Sequence, residues 1–171
     1  MHAEIIVLRL VHVVCGMLWV GAIVFMAGFL TPAIQIAGPA AGGAIMGALQ
    51  QRRAMTFLPV VAVLTLLSGF RLYWIMSDGF SAAYAHSPMG LTFGIAGIVA
   101  TVAFILGMAI ARPAMVRAGM LAQQLATVPE AQRAPLQAEL ARLRTRGRSM
   151  SILVAVLVVL AGTAMAVARY L

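Results

Sequence analysis

Residues 150–171, MSILVAVLVVLAGTAMAVARYL, decide the fold, and Arg169 is the only charged residue among them. A helix needs about 20 consecutive apolar residues to cross the hydrocarbon core of a membrane, so this stretch predicts a transmembrane helix. Three further segments pass the same test, at about 5–34, 57–76 and 88–111. Alternation of apolar and polar residues, which strands of a membrane barrel require, is absent. Backbone groups in lipid must be hydrogen bonded within their own segment, so we interpret all four segments as helices.

Composition agrees with a membrane protein. Of the 171 residues, 63% are hydrophobic and only 9% are charged, and the mean hydropathy is +1.03. Soluble domains carry about 25% charged residues. This composition excludes a soluble enzyme, a nucleic-acid-binding domain and a disordered tail. The single cysteine, Cys15, excludes an intrachain disulfide and a metal site built on clustered cysteines.

The arginines predict how the chain crosses the membrane. The sequence holds 12 basic residues, all of them arginine, and a formal net charge of +8. Nine of them fall in connections on one side of the predicted membrane: Arg52, Arg53, Arg112, Arg117, Arg133, Arg142, Arg144, Arg146 and Arg148. By the positive-inside rule that side is cytoplasmic, so both termini face outward. The fold predicted is all-α: a four-helix integral membrane bundle, N-out and C-out, in a bacterial-type inner membrane.

The longest polar connection, about 112–149, is predicted to extend helices three and four into a cytoplasmic helical hairpin, within a single domain of residues 1–171. Leu136, Leu140 and Leu143 give it an apolar stripe with charges opposite. The arginine-rich run 142–148 suits anionic lipid headgroups, and no nucleic-acid partner is expected. The Gly- and Ala-rich stretch 35–53 is predicted to follow the membrane interface. We expect the first apolar segment to be retained as helix one, because it is too long for a signal peptide.

Short motifs predict where several helices begin. Thr56 is the expected N-cap of helix two, with Pro59 in its first turn, where a missing N–H costs little. Ser87 is the expected N-cap of helix three, with Pro88 at the first helical position. Residues 127–130, TVPE, read as a capping box.

The rare polar residues gather at the outer end of the predicted helices, where His2, His12 and His86 all fall. On helix one, a single face carries Arg9, His12, Cys15, Gly16 and Trp19, which recur at spacings of three and four. An ionisable side chain within a membrane is a candidate functional residue. The alternative is that His12 only bonds to a neighbouring helix, and that the nearby arginines only reach for lipid headgroups.

Three stretches of the first helix resemble a known family: residues 8–12 (LRLVH), 18–21 (LWVG) and 29–32 (FLTP). They are similar to the opening helix of the CopD-like membrane superfamily, which includes copper-resistance D proteins and HemJ-type protoporphyrinogen oxidases. Residues 68–73, SGFRLY, are similar to a small-Gly-aromatic stretch in that group's second helix. The resemblance covers about thirty residues and implies a fold more than a function. In HemJ-type members the residue matched by His12 is associated with haem b.

HemJ-type members also use a lysine in a later helix, and this chain contains none. That departure argues against the oxidase activity itself. We therefore expect a haem b-binding membrane protein for electron transfer or porphyrin-linked redox chemistry. His12 is the expected first axial ligand and His86 the second, with Met89 or Met165 as substitutes. A four-helix bundle holds such a cofactor between facing helices.

Side chains near His12 complete the predicted site. Arg9 or Arg71 would pair with haem propionates, and Trp19 would lie against the cofactor. Two alternatives stay open. One is a copper-handling or transport protein with an entry site made of His2, His12, His86 and Met76 or Met89. The other is a non-catalytic accessory subunit whose hairpin docks a partner. For the haem-binding protein, a membrane redox partner or a homo-oligomer is expected.

Overall fold

The computed structural model describes residues 2–125 and 127–171, and this part of the chain is helical, without a strand. Four long helices are separated by shorter elements. They are α1 (His2–Ala37), α3 (Ala54–Met76), α5 (Pro88–Gln124) and α6 (Arg133–Tyr170), with α2 (Pro39–Gln51) and α4 (Ala82–Ala85) between them. Each of the four long helices is long and apolar enough to cross a membrane, which confirms the four predicted segments. Below, the terminal end is where α1 begins and α6 ends, and the hairpin end is the opposite one.

Two of the connections between the long helices contain helices of their own. Most of the stretch 35–53 is helical, because α1 continues to Ala37 and α2 follows after Gly38. Gly38 has φ 88, a left-handed conformation that glycine adopts without steric cost, so it separates the two helices. The second connection, 77–86, contains the short helix α4. At the hairpin end, α5 and α6 run past their apolar segments to Gln124 and from Arg133.

The predicted helix starts are right at one position and wrong at two. Ser87 caps α5 as expected, because its Oγ accepts from the Gly90 N–H at 3.0 Å. Thr56 does not cap α3, which begins at Ala54 after Arg53 turns the chain at φ 56, and Pro59 lies inside the helix. The capping box at 127–130 is also wrong. The Thr127 hydroxyl donates to Gln124 O at 3.0 Å. It therefore bonds to the end of α5 and does not cap the start of α6.

Two π turns interrupt the long helices, each just before a proline. In α1 the Thr31 N–H donates to Met26 O, and Pro32 follows. In α5 the Arg112 N–H donates to Gly107 O, and Pro113 follows. A proline ring collides with the carbonyl four residues earlier and cannot bond to it. The wider turn relieves that collision, so both helices continue through their prolines.

The packing places small residues inside and large apolar residues outside. The main buried cluster consists of Trp19, Val61, Ala62, Ala96, Ala100, Ala103, Val154, Val158 and Ala161. Large apolar side chains are exposed on every long helix, among them Phe29, Leu67 and Ile98, each more than 60% exposed. Small residues allow membrane helices to approach closely, while apolar side chains face the lipid. The distribution is that of a multi-pass membrane protein.

Candidate functional site

His12 lies between α1 and α3 and is fixed there through one of its ring nitrogens. Its Nδ1 is 2.8 Å from Thr65 O, a carbonyl oxygen that can only accept. Nδ1 therefore carries the ring proton of the neutral imidazole and donates it to Thr65 O. The Ser68 hydroxyl is 3.5 Å from Nδ1 and donates instead to Leu64 O at 2.6 Å. The backbone of α3 thus sets both the tautomer and the orientation of the ring.

Gly69 makes room for the His12 ring. A Cβ atom at this position would lie 2.6 Å from His12 Cε1 and 3.0 Å from Nδ1, closer than side chains tolerate. Four residues earlier on α3, Thr65 contacts Gly16, whose own Cβ would lie 3.5 Å from the Thr65 methyl carbon. Ser68 and Gly69 belong to the stretch 68–73 that was singled out in the sequence. The sequence did not indicate that Gly69 would contact His12.

The second ring nitrogen of His12, Nε2, has no hydrogen-bond partner among residues 2–125 and 127–171. In that part of the chain, Tyr84 Oη is the only buried side-chain nitrogen or oxygen without a partner. Because Nε2 is not such an atom, it is not fully buried, and in the neutral ring its lone pair has no partner among the described residues. One of the two interpretations of His12 was that it bonds to a neighbouring helix, and the bond to Thr65 O of α3 is such a bond. It uses Nδ1 and leaves Nε2 available.

The two candidate arginines differ. Arg71 binds Glu4 through Nε at 2.9 Å and Nη2 at 2.7 Å, and both side chains are about half exposed. Glu4 and Arg71 are 67 positions apart, so the sequence did not reveal this pair. Arg9 is exposed and makes no hydrogen bond or ion pair with the described residues. Arg9 is thus the candidate that retains an unpaired charge near His12.

Trp19 lies two helical turns toward the hairpin end from His12 and is 5% exposed, within the main buried cluster. Its ring meets Phe104 of α5 edge to face, with centroids 6.3 Å apart. Trp19 therefore packs α1 against α5 two turns away from His12.

The structure does not bring His86 to His12. Tyr73, one turn nearer the terminal end than Gly69, donates to Gly90 O at 3.2 Å, so Gly90 lies nearer the terminal end than His12. His86 lies in the turn that precedes Gly90 and is exposed, with its Nδ1 2.8 Å from Ala82 O in its own turn. Met89, next to Gly90, shares that level.

Met165 lies at the depth of His12. A Cβ at Gly107 would lie 3.9 Å from Val154, so these two residues are level. Phe104 lies three residues nearer the terminal end than Gly107 and contacts Trp19, and His12 lies seven residues beyond Trp19 in the same direction. At about 1.5 Å per residue, His12 is about 15 Å nearer the terminal end than Val154. Met165, eleven residues along α6 from Val154, is about 16 Å nearer.

The lateral position of Met165 agrees with this depth. Met165 and Cys15 both pack against the main buried cluster. Cys15 lies one turn from His12 on α1, so the part of α1 next to His12 and the part of α6 that carries Met165 both border the main buried cluster.

An aromatic cluster at the terminal end was not expected from the sequence. Phe80 contacts Tyr73 and Trp74, and Tyr73 meets Tyr84 edge to face with centroids 5.7 Å apart. Burial of Tyr84, together with the nearby Tyr73, raises the pKa of Tyr84 above its ordinary value. The cluster joins α3, α4 and α5 above the level of His12.

The described residues contain no group of three or more His, Cys, Asp or Glu side chains able to hold a metal ion. The copper alternative, built on His2, His12 and His86, finds no support there. Comparison with known protein families, with characterised proteins and with solved structures finds no match to this chain. The resemblance to the CopD-like superfamily therefore rests on the stretches quoted above.

Proposed function

We propose that this chain is a haem b-binding membrane protein and that His12 Nε2 would hold the haem iron. The observation that carries the proposal is the bond from Nδ1–H to Thr65 O, which in the neutral imidazole leaves the Nε2 lone pair without a partner in the described residues. Histidines that bind metals commonly donate their other N–H to a backbone carbonyl, which fixes the tautomer and the ring orientation. One well-oriented histidine is sufficient to hold haem, so the lack of a three-residue cluster does not bear on this proposal.

We propose Met165 as the second ligand. It lies at the depth of His12 on a helix that packs against the same buried cluster, whereas His86 and Met89 lie nearer the terminal end. A thioether is a haem ligand that raises the reduction potential. When bound, haem would supply one-electron chemistry at this level of the membrane. The chain would hold it through His12 and Met165 and exclude water with the surrounding apolar side chains.

Arg9 is the residue proposed to bind a propionate. It lies one turn from His12 on the same helix and has no ion-pair partner in the described part of the chain. Arg71 already binds Glu4 through two nitrogens, so a propionate would have to displace a carboxylate there. Electron transfer, to a membrane redox partner or to a second copy of the chain, is the activity this arrangement serves.

The four long helices are proposed to form a bundle in an inner membrane, with the hairpin end in the cytoplasm and both termini outside. The support is the arginine asymmetry, nine against three. Fusing alkaline phosphatase, which is active only outside, to the C-terminus should give activity. The same fusion inserted between Gln124 and Arg133 should give none. The reverse pattern would invert the topology.

The haem proposal is tested by adding haem b to the detergent-purified chain and recording oxidised and reduced absorption spectra. We expect a Soret band that saturates at one haem per chain. His12→Ala should abolish it, while His86→Ala, the matched histidine control, should leave it unchanged. Met165→Ala should retain haem but convert it to a high-spin form. Absence of a Soret band in the wild type, or equal loss in both histidine variants, would refute the proposal.

A further inference from the structure

A small cleft lies where α5 meets α6 at the hairpin end. It has a volume of about 160 Å³, roughly the space of five water molecules. Its apolar wall includes Ala109, Ile110 and Pro113 of α5, and Leu143 lies on the α6 side. Arg117 and Arg146 complete the lining, one from each helix. The cleft begins beside the π turn Gly107–Ala111, which shifts the following part of α5.

The two arginines of the cleft have no direct ion-pair partner within the described residues, although the Glu139 carboxylate is near enough to Arg117 for their charges to interact. Arg117 and Arg146 are both exposed, and neither takes part in a hydrogen bond or an ion pair there. Their neighbour Arg142 differs, because it binds Glu139 at 2.8 and 2.9 Å. The cleft therefore presents two guanidinium groups to one small volume. Guanidinium groups bind phosphate oxygens in a bidentate manner.

The cleft also lies at the boundary between apolar and polar parts of the chain. Ile110 is near the end of the apolar segment of α5, and Arg117 follows about 10 Å further along the helix. On α6, Arg146 precedes the apolar segment that starts at Met150 by about 6 Å. An occupant would thus meet positive charge on one side and an apolar wall on the other. An anionic phospholipid has this combination.

The walls of the cleft are fixed by close packing of the two helices. A Cβ at Gly147 would lie 3.7 Å from the Cβ of Ala114, so the two helices approach each other closely next to Arg146. Ala118, Leu140 and Leu143 form a buried cluster immediately beyond. The backbone positions of Arg117 and Arg146 are therefore set by the packing of α5 against α6, and their exposed side chains extend from these positions.

We propose that this cleft binds the headgroup phosphate of one anionic phospholipid, with Arg117 and Arg146 on the phosphate and the acyl chains along Ala109 and Ile110. The proposal is independent of haem. Each arginine near an anionic surface contributes about a fivefold gain in affinity, so removing both should weaken binding on the order of 30-fold. Zwitterionic lipids should bind less, because their cationic headgroup is repelled.

The test is a titration of the detergent-purified chain with phosphatidylglycerol or phosphatidylcholine, followed by native mass spectrometry. We expect one tightly bound phosphatidylglycerol and no retained phosphatidylcholine. Arg117→Gln with Arg146→Gln should lose it. The charge-matched control, Arg144→Gln with Arg148→Gln, removes two charges from α6 outside the cleft and should retain it.

Three results would overturn the proposal. Equal losses in the two double variants would mean diffuse electrostatic attraction rather than a site. Equal retention of phosphatidylcholine would mean that the anionic headgroup is not recognised. Displacement of the lipid by millimolar inorganic phosphate, with no effect of the acyl chains, would assign the cleft to free phosphate instead.

Discussion

Replacing Gly69 with alanine tests the contact that orients His12. The added Cβ would lie 2.6 Å from His12 Cε1 and 3.0 Å from Nδ1, the atom that donates to Thr65 O of the same helix at 2.8 Å. Ring and methyl group cannot both keep their positions. The ring must rotate away from α3, and the hydrogen bond to Thr65 O must break.

The expected cost is about 2 kcal/mol in the free energy of unfolding. Overpacking a close contact typically costs 1–3 kcal/mol. An interhelical hydrogen bond in a membrane protein contributes about 0.6 kcal/mol and at most about 1.7. Alanine recovers up to about 1 kcal/mol over glycine through helix propensity. A net loss of about 2 kcal/mol is roughly a 30-fold shift toward the unfolded state.

The assay is unfolding in mixed micelles of dodecyl maltoside and SDS, followed by circular dichroism, for both single variants and the double variant. In a His12→Ala background, Gly69→Ala should be neutral or stabilising, because the ring it displaces is gone. Gly97→Ala is the control, since nothing lies within 4 Å of a Cβ there. Equal destabilisation by Gly69→Ala with and without the His12 ring would refute the reasoning.

Four further variants can be measured in the same assay. Gly90→Ala should cost more than about 3 kcal/mol, because its Cβ would lie 1.9 Å from Tyr84 O, a backbone atom that cannot rotate away; a cost near that of Gly97→Ala would contradict this. Gly147→Ala should cost less than about 1 kcal/mol, because the flexible Met115 side chain can move aside. Ser87→Ala should cost about 1 kcal/mol through loss of the N-cap bond to Gly90 N, and no change would mean that water replaces it. Tyr84→Phe should stabilise the chain by about 1 kcal/mol, because it removes a buried hydroxyl without a partner; a loss of stability would show that the hydroxyl has one.

The membrane segments were predictable because the need for about 20 apolar residues is a local property of the chain. The cap of α5 was predictable for the same reason, since Ser87 and Gly90 are three residues apart. The capping box at 127–130 failed although it is local. The Thr127 hydroxyl has two backbone turns within reach and bonds to the one before it. A motif with two satisfactory partners does not determine which is used.

The site was predictable only in part. His12 stands out as an ionisable residue in an apolar helix, which a sequence shows directly. Its partners Thr65 and Gly69 lie more than fifty positions away, so they emerge only once α1 and α3 are packed. The choice between His86 and Met165 depends on the relative depth of α1, α5 and α6. That depth depends on contacts between helices, such as that of Trp19 with Phe104. Such contacts join residues far apart in the chain and could not be predicted from a single sequence.

The most direct test of the central proposal is electron nuclear double resonance on the ferric haem complex of the chain labelled with ¹⁵N-histidine. If His12 Nε2 binds the iron, the spectrum should show strong coupling to a single histidine nitrogen besides the porphyrin nitrogens. That coupling should persist in His86→Ala. A spectrum without histidine coupling, or with two strongly coupled histidines, would contradict ligation by His12 opposite Met165.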